Sequence, residues 1–142
     1  MRAIWFDMDG TIADLYGVEG WLDSIHHRHN KPYRLAKPLI NMRLLGKELN
    51  RLQEAGYTIG IVSWLPKGAD MVYNASVAKA KRDWLKRHLS SVQFDTIHIV
   101  EYGTPKHTIC SGILFDDEER NRNEWGEGAH DVHNILNTLA EM

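Results

Sequence analysis

Four short apolar runs set the frame of this chain: Arg2–Phe6, Tyr57–Ser63, Phe94–Val100 and Ser111–Asp117. Three of them are nearly continuous in apolar residues, as strands covered on both faces are. The segments between them change period. Leu39–Ala55 carries Leu39, Met42, Leu45, Leu49 and Leu52 at three- and four-residue steps and stops at Gly56, which reads as a helix with a glycine end. Ala75–Leu89 predicts a second helix, with Val77, Ala80, Trp84 and Leu85 facing inward. Asp131–Ala140 predicts a third, after a very short strand near Ala129, while Trp64–Asn74 and the segment around Pro105 read as loops. Strand and helix alternate, so the fold class is α/β, with a parallel sheet and helices on both faces.

One stretch breaks the alternation. Asp14–Leu35 mixes aromatic residues, glycines and a basic, histidine-rich run (His26, His27, Arg28, His29, Lys31), and reads as an insert of one helix with loops. No repeat or linker divides the rest. The 142 residues are therefore read as one domain, 1–142, with a small insert at 15–35. A hydrophobic share of 43% and a net charge of -2 give no basic surplus for sequence-independent nucleic-acid binding. The lone Cys110 allows no intrachain disulfide and suits a reducing compartment. The N-terminus lacks a signal-peptide layout and no apolar run has the length of a membrane span, so a soluble cytoplasmic protein without a membrane partner is expected.

In open parallel sheets, ligands sit beyond the carboxyl ends of the strands. Asp7 and Asp9 stand there after the first run, Ser63 after the second, and Asp116 and Asp117 after the fourth; Lys106 lies in the loop after the third. Crowded carboxylates repel unless a cation separates them. Such hard oxygen ligands suit Mg²⁺ with phosphate oxygens, and a hydroxyl and a lysine are natural partners for the phosphate.

The set resembles the haloacid dehalogenase (HAD) superfamily of phosphohydrolases. Its first motif stands as Asp7-Met8-Asp9-Gly10-Thr11, its second as Ser63, its third as Lys106 and its fourth as Asp116-Asp117. The resemblance implies a three-layer Rossmann-like core with a mostly parallel sheet and a very small cap insert. Inside the superfamily, the ten-residue step from Lys106 to Asp116, "GILFDD", "DMDGTIAD" and Lys81, Trp84 and Leu85 are similar to the 5'(3')-deoxyribonucleotidase branch. By that resemblance Asp7 is the nucleophile and Asp9 the acid and base. Ser63 and Lys106 hold the phosphoryl group. Mg²⁺ is held by Asp7, the backbone carbonyl of Asp9, and Asp117, with Asp116 binding or orienting beside them.

Two departures matter. Many relatives carry a further acid where this chain has Asn121, with Glu118 and Glu119 nearby. The nucleotidase branch carries a larger cap, and a small one leaves room for bulkier esters. The expected function is a Mg²⁺-dependent phosphomonoesterase acting through an aspartyl-phosphate on a small phosphate ester, by preference a nucleotide. A nucleic-acid 3'-phosphatase, a sugar phosphatase and a catalytically silent binding module are the alternatives. Tyr16, Trp21 and Trp64 either stack on a nucleobase or pack the insert against the core. His26, His27 and His29 read as a polar helix face, or with Arg28, Lys31 and Arg34 as a basic rim that attracts phosphate. His130 and His133 read as surface residues of the last helix.

Overall fold

The computed structural model describes residues 2–142. Five parallel strands form the main sheet: β1 (Ala3–Phe6), β4 (Thr58–Trp64), β5 (Thr96–Val100), β6 (Ile113–Phe115) and β7 (Ala129–His130), in the order β5-β4-β1-β6-β7. β1 is central. Phe6 lies level with Ile61 of β4 and with Phe115 of β6, so β1 and β6 end at the same height while β4 runs three residues further, to Trp64. The residues just beyond those ends fall together without any long-range loop having to bring them there.

One face of the sheet packs on helices α3 (Met42–Glu54), α4 (Met71–His88) and α6 (Ile135–Ala140). Leu45, Leu49 and Leu52 recur on one side of α3 and are buried with Ile4, Phe6, Ile59, Ile61, Trp84 and Leu139. The Asn41 side chain caps α3 by accepting from Leu44 N at 3.1 Å. The other face is covered more thinly, by one short helix and a loop. Residues 101–112 cross it with a single 3₁₀ turn at Lys106–Thr108, and Trp125, from α5 (Glu119–Trp125), adds to the cover. Val62, Cys110 and Leu114 are buried there. The Trp5 indole lies flat on Gly60, where a Cβ would overlap it. The ten-residue step between Lys106 and Asp116 leaves too little chain for a helix and its return.

The insert is two short helices, not one: α1 (Trp21–His26) and α2 (Lys31–Leu35). Its neck is closed by a two-stranded antiparallel ribbon, β2 (Ala13–Asp14) with β3 (Lys37–Pro38). Leu15 and Tyr33 bury against Tyr73, Val77 and Ala80 of α4. Tyr73 Oη donates to His29 O at 2.8 Å, and Asn30 Nδ2 donates to Ser76 Oγ at 2.8 Å. The insert is therefore pinned to α4.

Other boundaries shift from the sequence reading. α4 begins at Met71 because Asp70 caps it, accepting from Tyr73 N at 2.8 Å. His130 lies on β7 and stacks on Phe115 with 5.3 Å between ring centroids, and both it and His133 precede α6. The short strand expected near Ala129 is β7. Among the described residues no helix is long and apolar enough to cross a membrane.

Candidate active site

Asp7, Asp9, Ser63, Lys106, Asp116 and Asp117 meet at the carboxyl edge of β1, β4 and β6. The chain turns sharply after Asp9: Thr11, Ile12 and Ala13 all donate their N–H to Met8 O at 3.0 Å. Gly10 makes the turn possible. Its φ of 80° is unfavourable for a side chain, and a Cβ there would run into the Asp117 carboxylate. Thr11, buried in the same turn, ties the two motifs together. Its hydroxyl lies 3.2 Å from Asp7 Oδ2 and 3.3 Å from Asp117 Oδ1, and it accepts from Asp117 N at 3.2 Å.

Two buried lysines hold the acids. Lys106 Nζ donates to Asp7 Oδ1 at 2.9 Å and to Asp116 Oδ2 at 2.7 Å. Both lysine and Asp116 are sealed from solvent, so the site confines these charges in a medium of low dielectric. Lys81, from α4, donates to Asp9 Oδ2 at 2.9 Å, to Ser63 Oγ at 2.7 Å and to Trp64 O at 2.6 Å. The sequence reading placed Lys81 among branch-like residues without giving it a part in the site. A lysine three residues before Trp84, on the buried face of a helix, is the signal that was available.

Asp7, Asp116 and Asp117 each offer an oxygen within 4.8 Å of the others. They are the one such metal-competent cluster among the described residues, and none of the histidines belongs to it. The Asp9 carboxylate stands apart with Lys81. Four carboxylates thus face two ammonium groups, which leaves two negative charges without partners. The carboxyls respond by holding protons. Burial, then the charge of Asp7, pushes Asp117 up to about 8 and Asp116 up to about 6. Burial also raises Asp9, with Asp7 adding to the shift and Lys81 opposing it. For Lys106 burial disfavours the charge, but Asp7 and Asp116 outweigh it and hold the ammonium above its ordinary value. A divalent cation supplies the missing charge in a chemically apt oxygen cluster, so the residues fit Mg²⁺.

Asn121 is buried and donates Nδ2 to Asp116 Oδ2 at 3.1 Å. It fixes Asp116 from behind, and Glu118 N, at 2.9 Å from Asp116 Oδ1, fixes it from the side. Glu118 faces the cavity, and Glu119 does not.

Asp7, Asp9 and Lys106 line a half-open cavity of about 440 Å³. Its walls include Tyr16, Trp21 and Tyr33 from the insert side and Trp64 and Tyr102 from the opposite side. Tyr16 and Trp21 meet edge to face at 4.9 Å, and Trp64 and Tyr102 lie tilted to each other at 5.0 Å. Of the residues expected either to stack on a base or to pack the insert, Tyr16, Trp21 and Trp64 all line the opening, and Trp21 also packs against the cluster of Leu15, Tyr33 and Val77. Of the basic run, His26 and Arg28 reach the cavity. Lys31 and Arg34 do not, because α2 turns them away, and Arg34 donates to Asn30 Oδ1 at 2.8 Å instead. Cys110 is buried behind the floor, and burial lifts its thiol to about 11 against the pull of Lys106.

No family model matches the sequence, and no curated protein sequence matches it. Solved structures do match in shape. The D,D-heptose 1,7-bisphosphate phosphatase from B. bronchiseptica, crystallised with magnesium and phosphate, superposes with a TM-score of 0.60 at 11% identity, over 99% of this chain and 97% of its own. The D,D-heptose 1,7-bisphosphate phosphatase from Burkholderia thailandensis gives 0.56 at 13% identity, with the same coverage. At such identities the match concerns the backbone: the chain has, from end to end, the α/β fold of these phosphatases.

Proposed function

We propose that the protein is a HAD-type phosphomonoesterase that uses Mg²⁺ and an aspartyl-phosphate intermediate. The observation that carries the reading is the charge pattern of the sheet edge: Asp7, Asp9, Asp116 and Asp117 are gathered there with only Lys81 and Lys106 paired to them among the described residues. Such a site is costly to keep unless a cation and a phosphate belong in it. The fold shared with two phosphatases, one of them crystallised with magnesium and phosphate, supports the same reading.

Asp7 is the nucleophile. Lys106 and Thr11 fix its two oxygens, so its orientation is set before substrate arrives. Attack of an Asp7 oxygen on phosphorus forms the acyl phosphate as the ester P–O bond breaks, and Asp9 gives its proton to the departing oxygen. Asp9 then takes a proton from the water that attacks phosphorus, which releases phosphate and restores Asp7. Asp7, Asp116 and Asp117 would hold Mg²⁺, which neutralises charge on the transferring phosphoryl group. Ser63 and Lys106 provide hydrogen-bond donors for the phosphoryl oxygens.

For the leaving group, the aromatic walls favour a nucleotide, whose base can stack between Trp21 and Trp64. A sugar phosphate is the second reading, favoured by the substrate named for the two structural neighbours. Phosphate release from nucleoside 3'- and 5'-monophosphates, sugar phosphates and 3'-phosphorylated oligonucleotides, with Mg²⁺ and with EDTA, tests both. Mg²⁺-dependent release supports the phosphatase and ranks its substrates. A folded protein that releases phosphate from none of them returns the weight to a silent binding module.

A further inference from the structure

Lys81 is a buried charge that the proposed chemistry does not use. Its side chain is 1% exposed, and all three ammonium hydrogens are committed: to Asp9 Oδ2, Ser63 Oγ and Trp64 O. A lysine so placed does more than neutralise. Asp9 Oδ2 is occupied, and Oδ1 has no partner among the described residues, so the oxygen free to carry a proton is the one Lys81 leaves alone. Ser63 is affected in the same way. A hydroxyl has one hydrogen to donate, and an ammonium can only donate to it. With Lys81 donating to one of its two lone pairs, the Ser63 O–H points away from the ammonium, and no acceptor among the described residues takes it.

Taking the phosphatase reading as its basis, we infer that Lys81 is a positioning residue that aims two other groups at the substrate. It pins Asp9 through Oδ2 so that Oδ1 delivers the proton to the leaving oxygen, and it turns the Ser63 hydroxyl hydrogen toward the phosphoryl group. The Trp64 carbonyl bond fixes the ammonium to the end of β4, so the two aims are set by the sheet itself. Lys81 also lies 5.4 Å from the centre of the Tyr33 ring, which closes it off from the insert side. In the step it serves, the ester P–O bond breaks, its electron pair stays on the leaving oxygen, and the Asp9 proton moves to that oxygen.

Leaving groups that differ in their need for a proton separate this role from a structural one. 4-Nitrophenolate departs as a stable anion, whereas an alkoxide needs the proton. The wild-type protein, Lys81→Gln and Lys81→Arg are assayed with Mg²⁺ on 4-nitrophenyl phosphate and on glycerol 2-phosphate. Expected is a loss of kcat of at least about 10²-fold on the alkyl ester in Lys81→Gln, against about tenfold or less on the aryl ester. Lys81→Arg keeps the charge but replaces a tripod of donors with a planar fork, so it shifts the ratio in the same direction. Equal losses on the two esters, or none, overturn the inference. If Lys81→Gln does not fold, Lys81→Arg decides by the same ratio. Wild-type protein that hydrolyses neither ester, nor any ester of the panel above, overturns the phosphatase reading, and the inference with it. That result needs no variant and cannot be confused with the others.

Discussion

Lys106 Nζ lies 2.7 Å from Asp116 Oδ2 with both side chains sealed from water, and the same ammonium reaches Asp7 Oδ1 at 2.9 Å. Removing one partner of a buried pair strands the other charge. Lys106→Met is therefore expected to lower unfolding free energy by about 3–5 kcal/mol in EDTA. Added Mg²⁺ recovers part of the loss. Urea unfolding with and without the cation measures both. Phosphate release in the variant falls by at least about 10²-fold.

A Cβ at Gly10 would fall on the Asp117 carboxylate, so only a glycine leaves that group its place. Gly10→Ala places a methyl group against the Asp117 carboxylate at a backbone φ of 80°. The expected cost is about 1–3 kcal/mol of stability, together with weaker Mg²⁺ binding as Asp117 is pushed aside. Thermal unfolding and a Mg²⁺ titration of the variant measure the two effects. An alanine variant as stable as wild type and with the same Mg²⁺ affinity would contradict the close approach.

The raised carboxyls make the cation-free protein sensitive to pH. Asp116 and Asp117 hold protons more tightly folded than unfolded, at about 6 and about 8 against an ordinary 3.8. Between those limits the folded state binds more protons, so its stability falls as pH rises from about 4 toward about 8. Lys106, raised in the folded state, stays protonated throughout that window and does not offset the trend. Mg²⁺ competes with the protons, so its stabilising effect grows over the same range. The melting temperature in EDTA and in Mg²⁺, measured at pH 5, 6, 7 and 8 (about the span of these shifts), is expected to diverge upward with pH.

Trp21 lies on the insert side of the cavity and contacts Tyr16 edge to face. If it stacks on a base, Trp21→Ala raises KM for a nucleoside monophosphate by about tenfold or more and leaves KM for a sugar phosphate nearly unchanged. Equal changes for both substrates would favour the sugar reading.

Much of the site was legible because sheet geometry does the assembly. Asp7 and Asp116 follow β1 and β6, which finish in register, and Ser63 lies near the end of β4 two residues past that level, so naming the strands was enough to bring them together. Lys106 followed from its place in the crossover. Lys81 was given no part in the site because it lies mid-helix, eighteen positions from Ser63, and its place on the inward face beside Val77 and Trp84 marks it as buried without saying which groups it meets. α5 escaped for a different reason. Its residues are mostly charged, with Asn121 alone buried, so there is no apolar period to read; the Arg120–Glu124 pair at 3.0 Å is its clearest helical signature. The start of α4 was missed because the Asp70 cap precedes Met71 and Val72, which stand exposed and give no inward face. The insert was read as one helix because its histidine run hides the break at Arg28, whose φ is 61°.

Asp7, held through both oxygens by Lys106 and Thr11, is the group that attacks phosphorus in the proposed reaction. Phosphate release by Asp7→Asn, measured with Mg²⁺ on the best substrate of the wild-type protein and with thermal unfolding run on the same sample, is the decisive measurement. A folded variant with no turnover above background is expected. A folded Asp7→Asn protein that releases phosphate at the wild-type rate would contradict it.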